Sequence, residues 1–232
     1  MKFRGMRGAL AALGIGCLLA HAQAADLGTN LIVNGDAEAG LAGWSPIDTT
    51  TPLFDAVRYD DAYWGLGAMP SPPDRGEQLF VGGAGHVSAV GVQRLDLGSF
   101  AAASGTAGAL TYSLSGWLGG WSSQADDAVL TALFLDADGD VIDVAELGPV
   151  TPADRGDVTS LQFRELSGVL PTDARAVQFL LSMERAGGGD NDGYADNLAF
   201  VISSVPEPTT SALFGAGLGL AGLAALRRRG GR

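Results

Sequence analysis

The sequence predicts an all-β protein, a two-sheet sandwich or a barrel, and three observations predict it. Short apolar segments alternate with Gly, Pro, Asp and Ser clusters through the middle of the 232-residue chain, which carries 35 glycines and 10 prolines. No long stretch shows the apolar stripe of an amphipathic helix. Apolar residues instead recur at period two. Val177, Phe179, Leu181 and Met183 oppose Gln178, Ser182 and Glu184, and Leu161 and Phe163 oppose Gln162 and Arg164, so each strand buries one face.

Ten strands follow, at 31–34, 53–59, 77–81, 87–97, 109–118, 128–135, 141–147, 160–170, 176–183 and 195–202, each an apolar segment bounded by turn-forming residues. In 109–118, Leu110, Tyr112, Leu114 and Leu118 share one face, while Thr111, Ser113, Ser115 and Trp117 share the other. Asp136-Ala137-Asp138-Gly139-Asp140 lies between two apolar runs and reads as a hairpin turn, because Asp starts turns and Gly supplies positive φ. A calcium loop counted from Asp136 would need Gly and Glu where Val141 and Leu147 stand. Residues 186–193 (Ala-Gly-Gly-Gly-Asp-Asn-Asp-Gly) form a flexible acidic loop first and a metal loop second.

Both ends read as addresses outside this fold. Residues 1–24 have a basic start (Lys2, Arg4, Arg7), an apolar run from Ala9 to Ala20, and Ala22-Gln23-Ala24. This is the anatomy of a secretory signal helix removed by signal peptidase after Ala24. At the other end, Val205-Pro206-Glu207-Pro208 precedes 18 uncharged residues from Thr209 to Leu226 and then Arg227-Arg228-Arg229. Eighteen residues make about 27 Å of helix, enough for a single transmembrane span. The Arg cluster keeps its end cytoplasmic and the body outside. The expected domains are therefore a signal peptide at 1–24, a β-sandwich at 25–204 and a sorting segment at 205–232.

Pro206-Glu207-Pro208, the Gly/Ala/Leu-rich span and the Arg cluster together resemble the PEP-CTERM sorting signal of Gram-negative bacteria. That resemblance implies an exosortase substrate, made in hosts that commonly produce extracellular polysaccharide. It places the protein first as an inner-membrane intermediate and then at the cell surface or outside the cell. Gly217-Leu218-Gly219-Leu220-Ala221-Gly222 matches the dinucleotide-binding spacing, but no strand precedes it and it sits inside the span.

The body holds 25 acids against seven Arg and no Lys, so phosphate backbones are repelled and nucleic acid is excluded as a partner. The single Cys17 falls in the signal segment. Disulfides, thiolate metal sites and cysteine nucleophiles are thereby excluded from the body. His86 is the body's one histidine and no Gly-x-Ser-x-Gly elbow occurs. The chain is read as no enzyme, with glycoside hydrolysis by two carboxylates as a remote alternative.

Asn30-Leu31-Ile32-Val33-Asn34-Gly35-Asp36-Ala37-Glu38, followed by Gly43-Trp44, resembles the opening of carbohydrate-binding-module and galactose-binding-like jelly rolls. Tyr194-Ala195-Asp196-Asn197-Leu198 resembles their closing strand. The resemblance implies a jelly-roll sandwich over 30–202 and a structural Ca²⁺ held by Glu38 and Asp196. The alternative is two ordinary strand-end acids. Trp117, Trp121, Gln124, Asp126 and Asp127 are the candidate ligand-binding residues, since flat aromatics beside polar groups can stack on a sugar and bond its hydroxyls. The competing reading makes both tryptophans the edge of the core, and the protein a structural or adhesive surface protein. Trp44 and Trp64 read as core or loop anchors.

Overall fold

The computed structural model describes residues 27–100 and 109–204. The signal segment, the Pro-Glu-Pro tripeptide, the apolar span and the Arg cluster lie outside the described residues. Among the described residues no helix is long and apolar enough to cross a membrane.

Among the described residues, strands and a short helix follow in order: β1 (Ser45–Pro46), β2 (Asp55–Arg58), β3 (Gln78–Gly83), β4 (Ser88–Asp96), β5 (Leu110–Gly120), β6 (Asp127–Leu135), β7 (Val141–Leu147), α1 (Pro152–Arg155), β8 (Ser160–Val169), β9 (Ala176–Glu184) and β10 (Asn191–Ser204). They form two five-stranded antiparallel sheets, ordered β1-β4-β9-β6-β7 and β2-β3-β10-β5-β8. The pairs β6/β7, β5/β8, β4/β9 and β3/β10 nest inside one another. That is one long hairpin wound over itself, the jelly-roll arrangement. Burial alternates residue by residue along β4, β5, β6 and β9, as the period-two pattern requires. The core between the sheets is aromatic at its centre. Tyr112, Phe134 and Phe179 pack around Phe200, and Trp44, Phe54 and Phe80 meet edge to face.

One expected strand is not formed. Residues 31–34 run beside β10 through Leu31 N–H to the Phe200 carbonyl and a single bridge from Asn30 to Val201. Asn34 and Ala37 then take φ of 52° and 59°, which ends any extension. Asn34 holds the resulting turn by donating to the Gly40 and Ala42 carbonyls and accepting from Ala39 N–H. The Asp136 turn is formed as read. Its Oδ1 accepts from the Asp138 and Asp140 amides, and Gly139 sits at φ 89°.

A second apolar cluster lies on the outer face of the β2-β3-β10-β5-β8 sheet. Residues 59–76 cross that face as a strap. Tyr59, Trp64, Leu66 and Met69 pack there on Leu79, Val81, Leu161 and Tyr194. Leu161 N–H donates to the Pro70 carbonyl at 2.9 Å, fixing the strap's far end to β8. Trp44 and Trp64 are buried anchors, the first in the core and the second under this strap.

Candidate functional site

The strap covers only part of the sheet, and beside it an open cleft of about 450 Å³ remains. The register of β5 on β8 sets Trp117 opposite Phe163. Their ring centroids are 5.9 Å apart at 56°, a cross-strand aromatic pair on an outward face. Phe163 is 48% exposed, although it is a large apolar side chain. Asp36 comes from the turn after residue 34, Asp74 from the returning limb of the strap and Asn197 from β10, and all three line the cleft.

A bulge aims Asn197. Asp196 pairs with Trp117 and Ala199 with Ser115, so Asn197 and Leu198 together oppose Gly116 alone. Asn197 takes φ 48°, a conformation Asn adopts more readily than most residues. Its Nδ2 donates to Asp74 Oδ1 at 3.0 Å. Leu198 turns inward over Gly116, where a Cβ would stand 2.7 Å from Leu198 Cδ2. Leu198 N–H donates to the Gly35 carbonyl at 2.9 Å, and a Cβ on Gly35 would collide with the Leu198 carbonyl. Glycine at both positions lets three distant segments close on one spot. The aromatic floor therefore has an acceptor-rich rim: the Asp36 carboxylate, the second oxygen of Asp74 and the Asn197 carbonyl. The chemistry on offer is an aromatic surface that can stack on a flat apolar face, beside oxygens that can accept from hydroxyl or amino donors.

Behind the rim lies a buried acid. Asp196 is fully buried; Tyr59 Oη donates to its Oδ2 at 2.6 Å and Asn197 N–H to its Oδ1 at 2.7 Å. Burial pushes its carboxyl up to about 7 against those two hydrogen bonds, and the charges of Asp36 and Glu38 push the same way. Burial also drives Tyr59 well up, so its proton stays on the phenol. Arg75 lies over the Tyr59 ring at 4.2 Å. Glu38 Oε1 accepts from the Glu77 and Gln78 amides at 2.7 and 2.8 Å, tying the 34–42 turn to the start of β3. Glu38 and Asp196, the expected metal ligands, thus sit on neighbouring segments. Among the described residues no group of three or more His, Cys, Asp or Glu is arranged to hold a metal ion.

The structure separates Trp117 from the other four candidate ligand-binding residues. Trp121 stands across the strap, in a smaller hollow with Tyr63, Trp64, Asp190 and Asp192. Asp126 is fully buried, and its carboxylate accepts from the Ala186, Gly187 and Asp192 amides at 2.8, 2.9 and 3.0 Å. It pins the 186–193 loop. Asp127 opens β6 opposite Glu184, and burial, Glu184 and Asp126 raise its carboxyl. The Gln124 carbonyl accepts from Arg155, and its buried side-chain oxygen has no partner among the described residues. Arg155 is itself buried and donates to the Gly120, Ser122, Gln124 and Val158 carbonyls. Gln124, Asp126 and Asp127 thus belong to the framework that ends β5 and starts β6.

Phe163, Asp36, Asp74 and Asn197 are the cleft residues that the sequence reading did not single out. Phe163 carried a signal, a large apolar residue in an alternating strand. Its place beside Trp117 depends on the register of β8.

Residues 204–229 match the PEP-CTERM protein-sorting motif, the mark of an exported protein sorted via the membrane. No curated protein sequence matches the chain. Among solved structures, the enzymatically active domain of a bacteriophage CBA120 tailspike protein superposes with a TM-score of 0.49 at 14% identity. The match covers 76% of this chain, which spans only 21% of the tailspike chain. The CBM22-1 xylan-binding domain of Paenibacillus barcinonensis Xyn10C superposes with a TM-score of 0.43 at 16% identity, covering 78% of this chain and 99% of its own. The CBM22-1-GH10 modules of Clostridium thermocellum xylanase 10B, complexed with xylohexaose, give 0.41 at 12% identity over 74% of this chain and 27% of theirs.

Proposed function

We propose that this is an exosortase-processed surface or extracellular-matrix protein whose sandwich binds extracellular polysaccharide without cleaving it. The single observation that carries the reading is the open Trp117–Phe163 cleft with its rim of Asp36, Asp74 and Asn197. Trp117 is half-buried against the strap cluster, and Phe163 beside it stays 48% exposed; covering that open ring edge removes apolar surface from water. A sugar ring offers axial C–H groups to the rings and hydroxyl donors to the rim. The two rim carboxylates favour a neutral or basic glycan and repel uronate chains. Signal peptidase and exosortase are the processing partners in this reading, with the apolar span as a membrane intermediate.

The non-catalytic part rests on where the protonated acid sits. Glycoside hydrolysis needs a carboxylic acid within reach of the glycosidic oxygen. Asp196 has the raised carboxyl beside the cleft, but it is fully buried beneath Tyr59 and does not line the cleft.

A structural Ca²⁺ held by Glu38 and Asp196 is part of the proposal. Each Asp196 oxygen keeps a second lone pair beyond its one hydrogen bond, and Glu38 accepts both of its amides on Oε1, which leaves Oε2 to face a cation. Asp36 and Glu38 already repel the ionised Asp196, a strain a divalent cation would relieve. A rise in the thermal midpoint on adding Ca²⁺ to EGTA-treated protein, absent in Glu38→Ala, is the expected result. An unchanged midpoint removes the ion from the account.

Affinity electrophoresis of the full-length protein through gels cast with the host's exopolysaccharide tests the sugar reading. Retardation that disappears in Trp117→Ala is expected. Migration unaffected by the polysaccharide would leave a structural or adhesive surface protein, and a rise in reducing ends would make it a hydrolase.

A further inference from the structure

The hollow across the strap from the cleft has a chemistry of its own. Its volume is about 150 Å³ and its lining is Tyr63, Trp64, Trp121, Asp190 and Asp192, room for about five waters. That suits one functional group rather than a whole sugar chain. Tyr63 and Trp64 meet edge to face at 5.3 Å, and Tyr63 and Trp121 are 67% and 36% exposed. Two of the three rings therefore present accessible surface.

The carboxylates are held by neutral donors. Asp190 accepts from Tyr63 Oη at 2.6 Å and from Gly85 N–H at 3.0 Å. Asp192 Oδ1 accepts from Tyr194 Oη at 2.6 Å. Asp192 Oδ2 has no partner, and neither acid is in an ion pair, among the described residues. Burial raises the Asp192 carboxyl most, the Tyr194 hydrogen bond lowers it, and the neighbouring charges of Asp126 and Asp190 raise it further. Arg155, the nearby buried cation, is spent on four backbone carbonyls.

We propose that this hollow binds a small organic ammonium group. A positive charge against ring faces is attracted by their quadrupoles, and the same charge compensates Asp190 and Asp192. A hard inorganic cation needs six or more oxygen ligands, and aromatic walls cannot replace its water. A neutral sugar would cover the rings and leave both carboxylates uncompensated. An ammonium group meets both demands at once. It is carried by an amino sugar or by a quaternary amine, and these two sources differ in size and hydrogen-bonding capacity. The site is separate from the Trp117 cleft and stands whether or not that cleft binds sugar.

The test uses full-length protein labelled with ¹⁵N at its four tryptophans, titrated at constant ionic strength. The probes are tetramethylammonium and glucosamine, with neopentyl alcohol and glucose as neutral counterparts. The indole signals of Trp121 and Trp64 are expected to move with the cations and stay still with the neutral pair, while that of Trp44 stays still throughout; a Trp117 signal that moves alike with glucosamine and glucose reports the separate cleft. Trp121→Ala and Asp192→Asn should each weaken binding by roughly tenfold, and Trp121→Phe, which keeps a ring, should retain most of it. The tighter of the two cations identifies the source. No shift with either cation, equal shifts with the neutral probes, or unchanged affinity in Asp192→Asn overturns the proposal.

Discussion

Replacing Asp196 with Asn should stabilise this protein, and by an amount that grows with pH. The acid is fully buried, and its carboxyl is raised from an ordinary 3.8 to about 7, chiefly by burial. The unfolded chain ionises it near its ordinary value, so between pH 4 and pH 7 the folded state holds a proton that the unfolded state has lost. Stability at this site is therefore greatest below pH 4, falls as pH rises, and levels off above about 7. The difference of about three pH units corresponds to about 4 kcal/mol. Asn keeps both contacts: its carbonyl can accept from Asn197 N–H, and its amide can donate to the Tyr59 hydroxyl. Urea unfolding of full-length wild type and Asp196→Asn, in EGTA and followed by tryptophan fluorescence, gives the difference at each pH. It should be near zero at pH 4 and approach about 4 kcal/mol at pH 8, on the order of 10 °C in Tm for a domain of this size. A difference that stays flat from pH 4 to pH 8 would refute the reasoning, since burial would then not be holding a proton on Asp196.

Other perturbations probe how the cleft is built. Gly116→Val places a side chain against Leu198 and should cost about 1–3 kcal/mol, displacing the bulge that aims Asn197; sugar binding should fall further than the urea midpoint alone explains. Arg155→Met removes the donor shared by four carbonyls at the end of β5 and should cost about 3 kcal/mol net of the relief from burying a cation, measured by the same unfolding assay. Asp136→Ala loses two hydrogen bonds within the β6–β7 turn and should cost about 1 kcal/mol with no change in ligand affinity, which calorimetry checks. Asp74→Ala removes the Asn197 partner and should weaken glycan binding while leaving the thermal midpoint within a degree or two.

The sandwich was legible because alternation is a one-dimensional signal. Val177, Phe179, Leu181 and Met183 must face one way in any strand, and in β9 all four are buried. The 31–34 segment misled because Leu31, Ile32 and Val33 read as a strand. Its backbone hydrogen bonds instead go partly to side chains: Ile32 N–H to Asn30 Oδ1 and Val33 N–H to Gln93 Oε1. Trp117 could be placed on an outward face from its own strand. Its neighbours could not, because Asp36, Asp74, Phe163 and Asn197 come from four separate parts of the chain. Only the register of β8, the bulge in β10 and the return of the strap bring them together. Asp126 shows the opposite limit. An acid next to tryptophans looks like a ligand in sequence, yet in the fold it caps three amides of a Gly-rich loop.

The most direct test of the central claim is calorimetry of full-length wild type, Trp117→Ala and Phe163→Ala against neutral fragments of the host exopolysaccharide. Saturable binding by wild type, weakened tenfold or more in each variant while their thermal midpoints stay close to wild type, is the result predicted for a sugar platform on β5 and β8. Binding of equal strength in all three proteins would place the glycan elsewhere and contradict the account.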